Sequence, residues 1–342
     1  MFWVTTMVNS EYPLITFVIL SYNCQKYVQD AINGAFAQSY PNLEIVISDD
    51  CSQDDSYSII KNTVSAYRGK HKVVVNRNES NLGTLANFFR ALDICSGELI
   101  VMSAGDDISK AERVSTTVEY WRETGATAFF SNYELIDEQG SVTCDMYSPG
   151  QYSEMVKRVF CRDSQFEIHG ASSAYEVDFV KSLPRPYGKI LFEDAYMTFM
   201  LNLHSKNYIK IDSPLVYYRE HSGSLSNSSN ILSRFSGEVE RQISMLNAYE
   251  NRYILSVFLK NYASSFSNPN FNAAEYERQL NKFKIKSEWH QFSTLRMLSF
   301  LVSSDIDVSF KKWILPRVFG LRVFVTLKLM FRHFKKFFKR AL

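Results

Sequence analysis

Cysteine is sparse in this chain and follows no pattern. Cys24, Cys51, Cys95, Cys144 and Cys161 are odd in number, and no two are spaced Cys-x-x-Cys. That argues against a disulfide framework or a zinc site and for a reducing compartment. Long apolar runs are missing too, and no uncharged stretch is long enough to cross a bilayer. Met1–Val8 is too short and too poor in basic residues to read as a signal peptide. Internal repeats and low-complexity linkers are absent, so the 342 residues read as one large domain with an appendage, or two modest ones. Acids are missing from the last stretch of the sequence. Residues 308–342 hold ten Lys or Arg and no Asp or Glu, which leaves 28 basic against 36 acidic residues elsewhere, a net of −8. An acidic body with a basic tail is a targeting pattern rather than a nucleic-acid-binding one.

What is present is a regular alternation. Leu14–Leu20 is a nearly continuous apolar run, the pattern of a strand buried on both faces. A helix is expected over about 26–38, stopped by Pro41, then a strand over 43–48 and a helix over about 56–68. A strand over 72–76 follows, then a helix over about 83–95 with Gly97 as its stop, then the apolar strand Glu98–Met102. Short strand–helix units imply right-handed crossovers and an open parallel sheet. Residues 126–219 are mixed, with short strands at 128–131 and 215–218 and a helix opening at Glu193. After Ser229 the chain reads as helical, apart from a loop near Pro269.

Ligands in such sheets sit at the carboxyl ends of the strands. Ser21-Tyr22-Asn23, Asp49-Asp50 and Asp106-Asp107 all fall at such ends. Two adjacent carboxylates at a strand tip crowd like charges, a cost most readily offset by a cation held between them and something anionic. Hard divalent cations such as Mg²⁺ or Mn²⁺ take oxygen ligands and often bridge to phosphate. The pattern points to an enzyme handling a nucleoside diphosphate.

Several motifs stand in one order along the chain. They are Val18–Asn23, Gln38–Ser52, Asn81-Leu-Gly83 with Asn87, Ser96-Gly-Glu98 with Asp106-Asp107, Phe192-Glu-Asp194, and Tyr218-Arg-Glu-His221. In these blocks the first 230 or so residues resemble the family 2 glycosyltransferases; the C-terminal third matches no recognised pattern. The resemblance implies a GT-A-like α/β fold, an open and mostly parallel sheet flanked by helices. It implies a catalytic domain over 1–229; the residues after it, 230–342, read from their pattern as a helical region. It also implies transfer of a sugar, with inversion, from a nucleoside diphosphate to an acceptor hydroxyl. Uridine is the expected base, with dTDP and GDP donors open.

By that resemblance Ser21, Tyr22, Asp50, Asn87 and Asp106 bind the donor. Tyr22 offers a stacking face, and Asp50 accepts from the nucleobase imide. Asp49 and Asp54 are alternatives to Asp50, since Asp-rich turns also cap helices. Asn87 reads equally as a surface helix residue. Asp107 is the expected metal ligand, with His221 as a second ligand to metal or diphosphate. Asp106 is expected on the ribose or a metal-bound water. Many relatives carry a further acid where this chain has Ala104, which leaves the ligand count open. Asp194 is the expected general base and Glu193 the fallback; both also suit a helix N-terminus. His169-Gly170 reads as an acceptor-side element or a turn, and Arg219 as facing the diphosphate or stabilising the fold.

Pro316 suits a helix start. Projected at about 100° per residue, Arg317, Arg322, Lys328, Arg332, Lys335, Lys336, Lys339 and Arg340 share one arc of about 140°. The Phe-rich residues from Phe319 to Phe338 share another. The expectation for about 316–340 is an amphipathic helix lying on an anionic membrane surface; docking of its Phe face on the catalytic domain is the alternative. The expected location is the inner face of the cytoplasmic membrane, and the expected acceptor a lipid-linked or growing surface glycan such as an O-antigen or capsule unit. A nucleotidyltransferase would need a Gly-rich loop after the first strand, and Ser21–Lys26 has no glycine. A non-catalytic nucleotide-binding or membrane-scaffold protein would have no use for Asp194 beside Asp107 and His221.

Overall fold

The apolar runs of the N-terminal half become parallel strands. The computed structural model describes residues 12–147, 158–160, 168–221 and 235–288. Strand β1 (Ile15–Ser21) pairs in parallel with β2 (Leu43–Asp49) on one side and β4 (Leu99–Ala104) on the other, and β2 pairs with β3 (Lys72–Arg77). Every residue of β2 is buried, and all but Leu20 of β1, as a sheet covered on both faces requires. The connecting helices are α1 (Val28–Phe36), α2 (Ser56–Ala66) and α3 (Thr84–Leu92). Phe17, Ile19, Ile45, Ile47, Val101, Ile32 and Ile60 are fully buried in this core. At about 25 cal/mol per Å² of apolar area removed from water, such burial dominates stability.

Two strand ends leave the sheet through left-handed backbone, Asn23 at φ 50° after β1 and Cys51 at φ 59° after β2. Non-glycine residues seldom adopt that region, so the sharp turns are held from outside. Asn23 N–H donates to Ser52 Oγ at 3.0 Å, and Asn23 Oδ1 accepts from Gln53 N–H at 2.8 Å. The two turns brace each other at the rim where the acids stand.

Beyond β4 the sheet departs from the expected parallel order. Its strands run β3-β2-β1-β4-β8-β6-β9-β5, where β5 is Ile108–Ser109, β6 Ala128–Ile136, β8 Ser173–Glu176 and β9 Tyr208–Arg219. Strand β8 is antiparallel to β4 and β6, and β5 to β9, while β6 and β9 are parallel. A hairpin adds β7 (Val142–Tyr147) to β6. Parallel pairing needs a crossover of a dozen or more residues. Among the described residues, the helices here are α4 (Arg113–Thr124), of 12 residues, α5 (Val177–Ser182), of six, and α6 (Glu193–Leu203), of 11. The bent strand β9 lies between β6 and β5, and so brings Arg219–His221 alongside Asp106-Asp107.

The chain divides into two compact units, Met1–Ser224 with Asn261–Ala273, and Leu225–Lys260 with Ala274–Leu342. The loop near Pro269 belongs to the first unit. There Asn268 Nδ2 donates to Leu203 O at 2.6 Å, and Phe271 packs on Phe160 and Phe199. Described parts of the second unit are helical, in α7 (Phe235–Ser264) and α8 (Ala273–Glu288), with Tyr276 Oη on Ser256 O at 3.1 Å and Lys260 on Glu277 at 2.5 Å. Among the described residues no helix is long and apolar enough to cross a membrane. The expected amphipathic helix over 316–340 lies outside them.

Candidate active site

Asp50, at the end of β2, is buried, and its carboxylate is already gripped. Oδ1 accepts from Asn78 Nδ2 at 2.9 Å and Leu82 N–H at 2.8 Å; Oδ2 accepts from Gly83 N–H at 2.9 Å. A carboxylate has about four acceptor positions, so Oδ2 keeps one for a further donor. Gly83 stands at φ 87°, and Ile190 backbone closes over it, a position suited to glycine. The alternatives to Asp50 are spent on local turns. Asp49 caps Ser52, through its N–H at 3.0 Å and its Oγ at 2.5 Å. Asp54 holds Ser56 and Gln25.

Two expected donor contacts fall behind the surface instead. Asn87 is buried; its Nδ2 donates to Ser48 O at 3.1 Å and its Oδ1 accepts from Ser48 Oγ at 2.6 Å and Asn78 Nδ2 at 2.9 Å. Those bonds carry the Asn78 amide that grips Asp50, so Asn87 supports the pocket from below. Ser21 is also buried, its hydroxyl 3.1 Å from Cys24 Sγ, and its carbonyl takes the Asp50 N–H at 2.8 Å. Tyr22, 46% exposed, keeps an open ring at the same rim.

The acid pair follows β4. Asp107 is 1% exposed. Its Oδ1 accepts from Arg219 N–H at 2.8 Å, while Oδ2 is buried with no hydrogen-bond partner. Burial, with the Asp106 charge adding to it, pushes its carboxyl well above the ordinary carboxylate range. A buried carboxylate oxygen without a donor is costly; a cation beside it removes that cost. The residues therefore fit a hard divalent ion at Asp107, with Asp106 adjacent. His221 Nε2 stands 2.9 Å from Asp106 Oδ2, so the structure pairs the histidine with Asp106 rather than Asp107. Among the described residues no group of three His, Cys, Asp or Glu is clustered for a metal.

Arg219 does not face outward. Its guanidinium donates to Asp106 O at 3.0 Å, Asp137 O at 3.2 Å, Glu138 O at 3.1 Å and Asp30 Oδ2 at 3.1 Å. It lies 4.8 Å from the Tyr27 ring, and Tyr27 in turn lies 4.7 Å from His221. One buried arginine so fixes the strand end that presents both acids and the histidine. Behind them Arg113 is buried as well, bonded to Ser109 Oγ at 2.7 Å and Met102 O at 2.5 Å; burial lowers its pKa to about 9.

The second acid pair opens α6. Asp194 Oδ1 accepts from Ala195 N–H at 2.7 Å. Glu193 rests against Gly170, where any added methyl would overlap its Oε1. Burial first, then the Asp194 charge, raises the Glu193 carboxyl to about 8. Leu85 N–H donates to Ile190 O at 3.0 Å, tying this segment to the start of α3 and so to the Asp50 pocket. Asn78, Tyr27 and Arg113 were not singled out as site residues from the sequence. Each acts through a long-range contact that local pattern does not carry.

Comparison with known proteins points to one family. Residues 16–172 match the model of glycosyl transferase family 2. The match spans just under half of the chain. The transferase is 27% identical over 217 residues to the Escherichia coli UDP-Glc:alpha-D-GlcNAc-diphosphoundecaprenol beta-1,3-glucosyltransferase WfaP, across 62% of this chain and 80% of WfaP. TuaG of Bacillus subtilis, named for teichuronic acid biosynthesis, is 27% identical over 129 residues, 38% of this chain and 50% of TuaG. Among solved structures, S. aureus TarS 1–349 in complex with UDP-GlcNAc superposes at TM-score 0.54 with 18% identity, covering 88% of this chain and 78% of that one. The TarS likeness shows the fold, a GT-A-like α/β sheet flanked by helices.

Proposed function

We propose that the transferase moves a sugar, with inversion, from a UDP-sugar to a hydroxyl of a lipid-linked or growing surface glycan. One observation carries the reading: Asp107 is a buried carboxylate with an unpartnered oxygen, one strand from the gripped but still accepting Asp50. Such a rim suits a uridine held at one end and a diphosphate at the other. Asp50 accepts the uracil imide N–H, Tyr22 lies against the base, and Asp106 takes ribose hydroxyls or a bound water. Asp107, with His221 and Asp106 beside it, would hold Mn²⁺ or Mg²⁺, and such an ion supplies Lewis-acid stabilisation of the departing diphosphate.

Asp194 is the base. It takes the proton of the acceptor hydroxyl as that oxygen bonds the anomeric carbon, while the bond from that carbon to the diphosphate oxygen breaks and UDP leaves. A single displacement inverts the anomeric centre. Glu193 stands beside it, its carboxyl raised by burial and by the Asp194 charge. WfaP's named acceptor, a sugar diphosphate on undecaprenol, makes a lipid-linked acceptor the favoured class for this chain. The basic residues of 316–340 would hold the enzyme at the inner face of the membrane, where such acceptors lie.

The test is a donor panel of UDP-, dTDP- and GDP-sugars incubated with Mn²⁺, scored by nucleotide release and by the anomeric configuration of any product. Release from a UDP-sugar alone, with an inverted product, is expected. Release from none by folded protein, or a retained configuration, would contradict the reading.

A further inference from the structure

Residues 184–190 form a strap along helix α3, fastened at both ends. At the far end of α3, Arg185 donates twice to Asp93, from Nη1 to Oδ2 at 2.8 Å and from Nη2 to Oδ1 at 2.6 Å, and its guanidinium lies 5.1 Å from the Phe89 ring. Tyr196 Oη donates to Pro184 O. At the near end, Ile190 O accepts from Leu85 N–H at 3.0 Å, and the buried Ile190 sets its backbone against Gly83. Between these ties stands Tyr187, 94% exposed, followed by Gly188 at φ 96°. The next most exposed large apolar side chain among the described residues, Met146, is 60% exposed.

Cations gather around this ring. Arg90, Lys181 and Arg185 act on one acid: the Arg185 hydrogen bonds first, then the three charges, hold the Asp93 carboxyl below its ordinary range. Lys189, whose stem crosses Gly83, adds a fourth. All four are exposed. Asp93 and Asp178 are the acids of residues 90–93 and 177–190, so four cations stand against two acids, a net of +2. They do so on a body, residues 1–307, whose net charge is −8. An aromatic ring with a polar tip, ringed by cations on long apolar stems, suits the headgroup layer of a bilayer. A second copy docked through the same patch would set like charges against each other.

We propose that Arg90, Lys181 and the strap Arg185–Lys189 form the face by which the catalytic domain meets an anionic lipid bilayer, with the Tyr187 ring among the headgroups and the cations on lipid phosphates. The inference rests on the membrane-bound acceptor of the reading above and adds the face that meets the bilayer. Its place gives it a use. Ile190 ends the strap three residues before Glu193-Asp194, and its backbone lies on Gly83, whose N–H holds Asp50. A domain seated on this face carries its base close to the headgroups, where a lipid-linked hydroxyl is presented.

The experiment is cosedimentation of the full chain with vesicles of phosphatidylcholine and phosphatidylglycerol, and with phosphatidylcholine alone, beside UDP calorimetry without vesicles. The wild type should prefer the anionic vesicles. Replacing both Arg90→Gln and Lys181→Gln should weaken that binding about tenfold and leave the neutral vesicles unaffected. Tyr187→Ser should weaken binding to both severalfold, Tyr187→Trp should restore it, and UDP affinity should hold throughout. The basic residues of 316–340 are the same in every variant, so the differences read this face alone, and the exposed Tyr187 leaves folding intact. Vesicle binding unchanged in Tyr187→Ser and in the double variant, or no anionic preference in a wild type that binds UDP, would overturn the proposal and spare the transferase reading. Loss of a dimer instead of vesicle binding in Tyr187→Ser would assign the face to a second copy and overturn it equally. Failure of the wild type to bind UDP would strike the transferase reading instead.

Discussion

The two ends of the site are built on opposite principles. Around Asp50 every neighbour is satisfied: Asn78, Leu82, Gly83, Asn87 and Ser48 form one closed hydrogen-bond network. Around Asp107 and Glu193 satisfaction stops, with one carboxylate oxygen buried and unpartnered and one carboxyl raised to about 8. The first arrangement is a preformed recognition pocket, whose polar groups need little rearrangement on binding. The second stores electrostatic cost that substrate and ion relieve, as groups that do chemistry often do. The contrast follows the sheet. The satisfied end stands on the parallel strands, and the strained end is assembled from β4, β9 and α6, which meet only in the folded chain.

Substitutions can break each side separately. The largest effect is expected from Asp194→Asn, which removes the base: kcat should fall about 10²- to 10⁴-fold with UDP affinity kept, measured by initial rates and calorimetry. Asp107→Asn should lower the rate about 10²- to 10³-fold while raising the thermal midpoint, because it deletes a buried carboxylate without changing shape. A lowered midpoint would mean that the carboxylate stabilises the fold.

At the satisfied end the signature reverses. Asn87→Leu strands Ser48 and Asn78 and should cost about 1–3 kcal/mol of stability by denaturant titration, weakening UDP only through the loosened Asp50. The last effect is a slope with pH. Glu193 binds its proton up to about pH 8 in the folded chain but releases it near 4.5, its ordinary value, when unfolded. Unfolding then sheds a proton between those pH values, so stability should decline as pH rises through that window. Glu193→Gln should flatten the decline, as read from midpoints at pH 5 and pH 8.

The parallel half was largely legible beforehand. Apolar runs bounded by turn residues announce β1, β2 and β4, and the acids at their ends follow from the rule that such sheets bind ligands there. The alternating, shorter runs between 126 and 219 do not announce their antiparallel partners, because pairing there depends on loops rather than periodicity. For the same reason the burial of Ser21 and Asn87 was not legible in their motifs. A motif fixes which residue stands at a strand end or helix turn but not which way its side chain turns, and both turned inward to brace Asp50. Arg219, ambiguous in sequence, is resolved by its contacts with Asp106, Asp137, Glu138 and Asp30, which no local pattern foretells.

The central claim is that donor binding joins a finished pocket to an unfinished charge site. Calorimetric titration of UDP, with and without Mn²⁺, on wild type, Asp107→Asn and Asp50→Ala tests it most directly. The account predicts that Mn²⁺ strengthens UDP binding at least tenfold in wild type and not in Asp107→Asn, and that Asp50→Ala weakens binding by a similar factor whether or not the metal is present. Equal UDP affinity with and without Mn²⁺ in wild type, or Mn²⁺ dependence that survives Asp107→Asn, would contradict it.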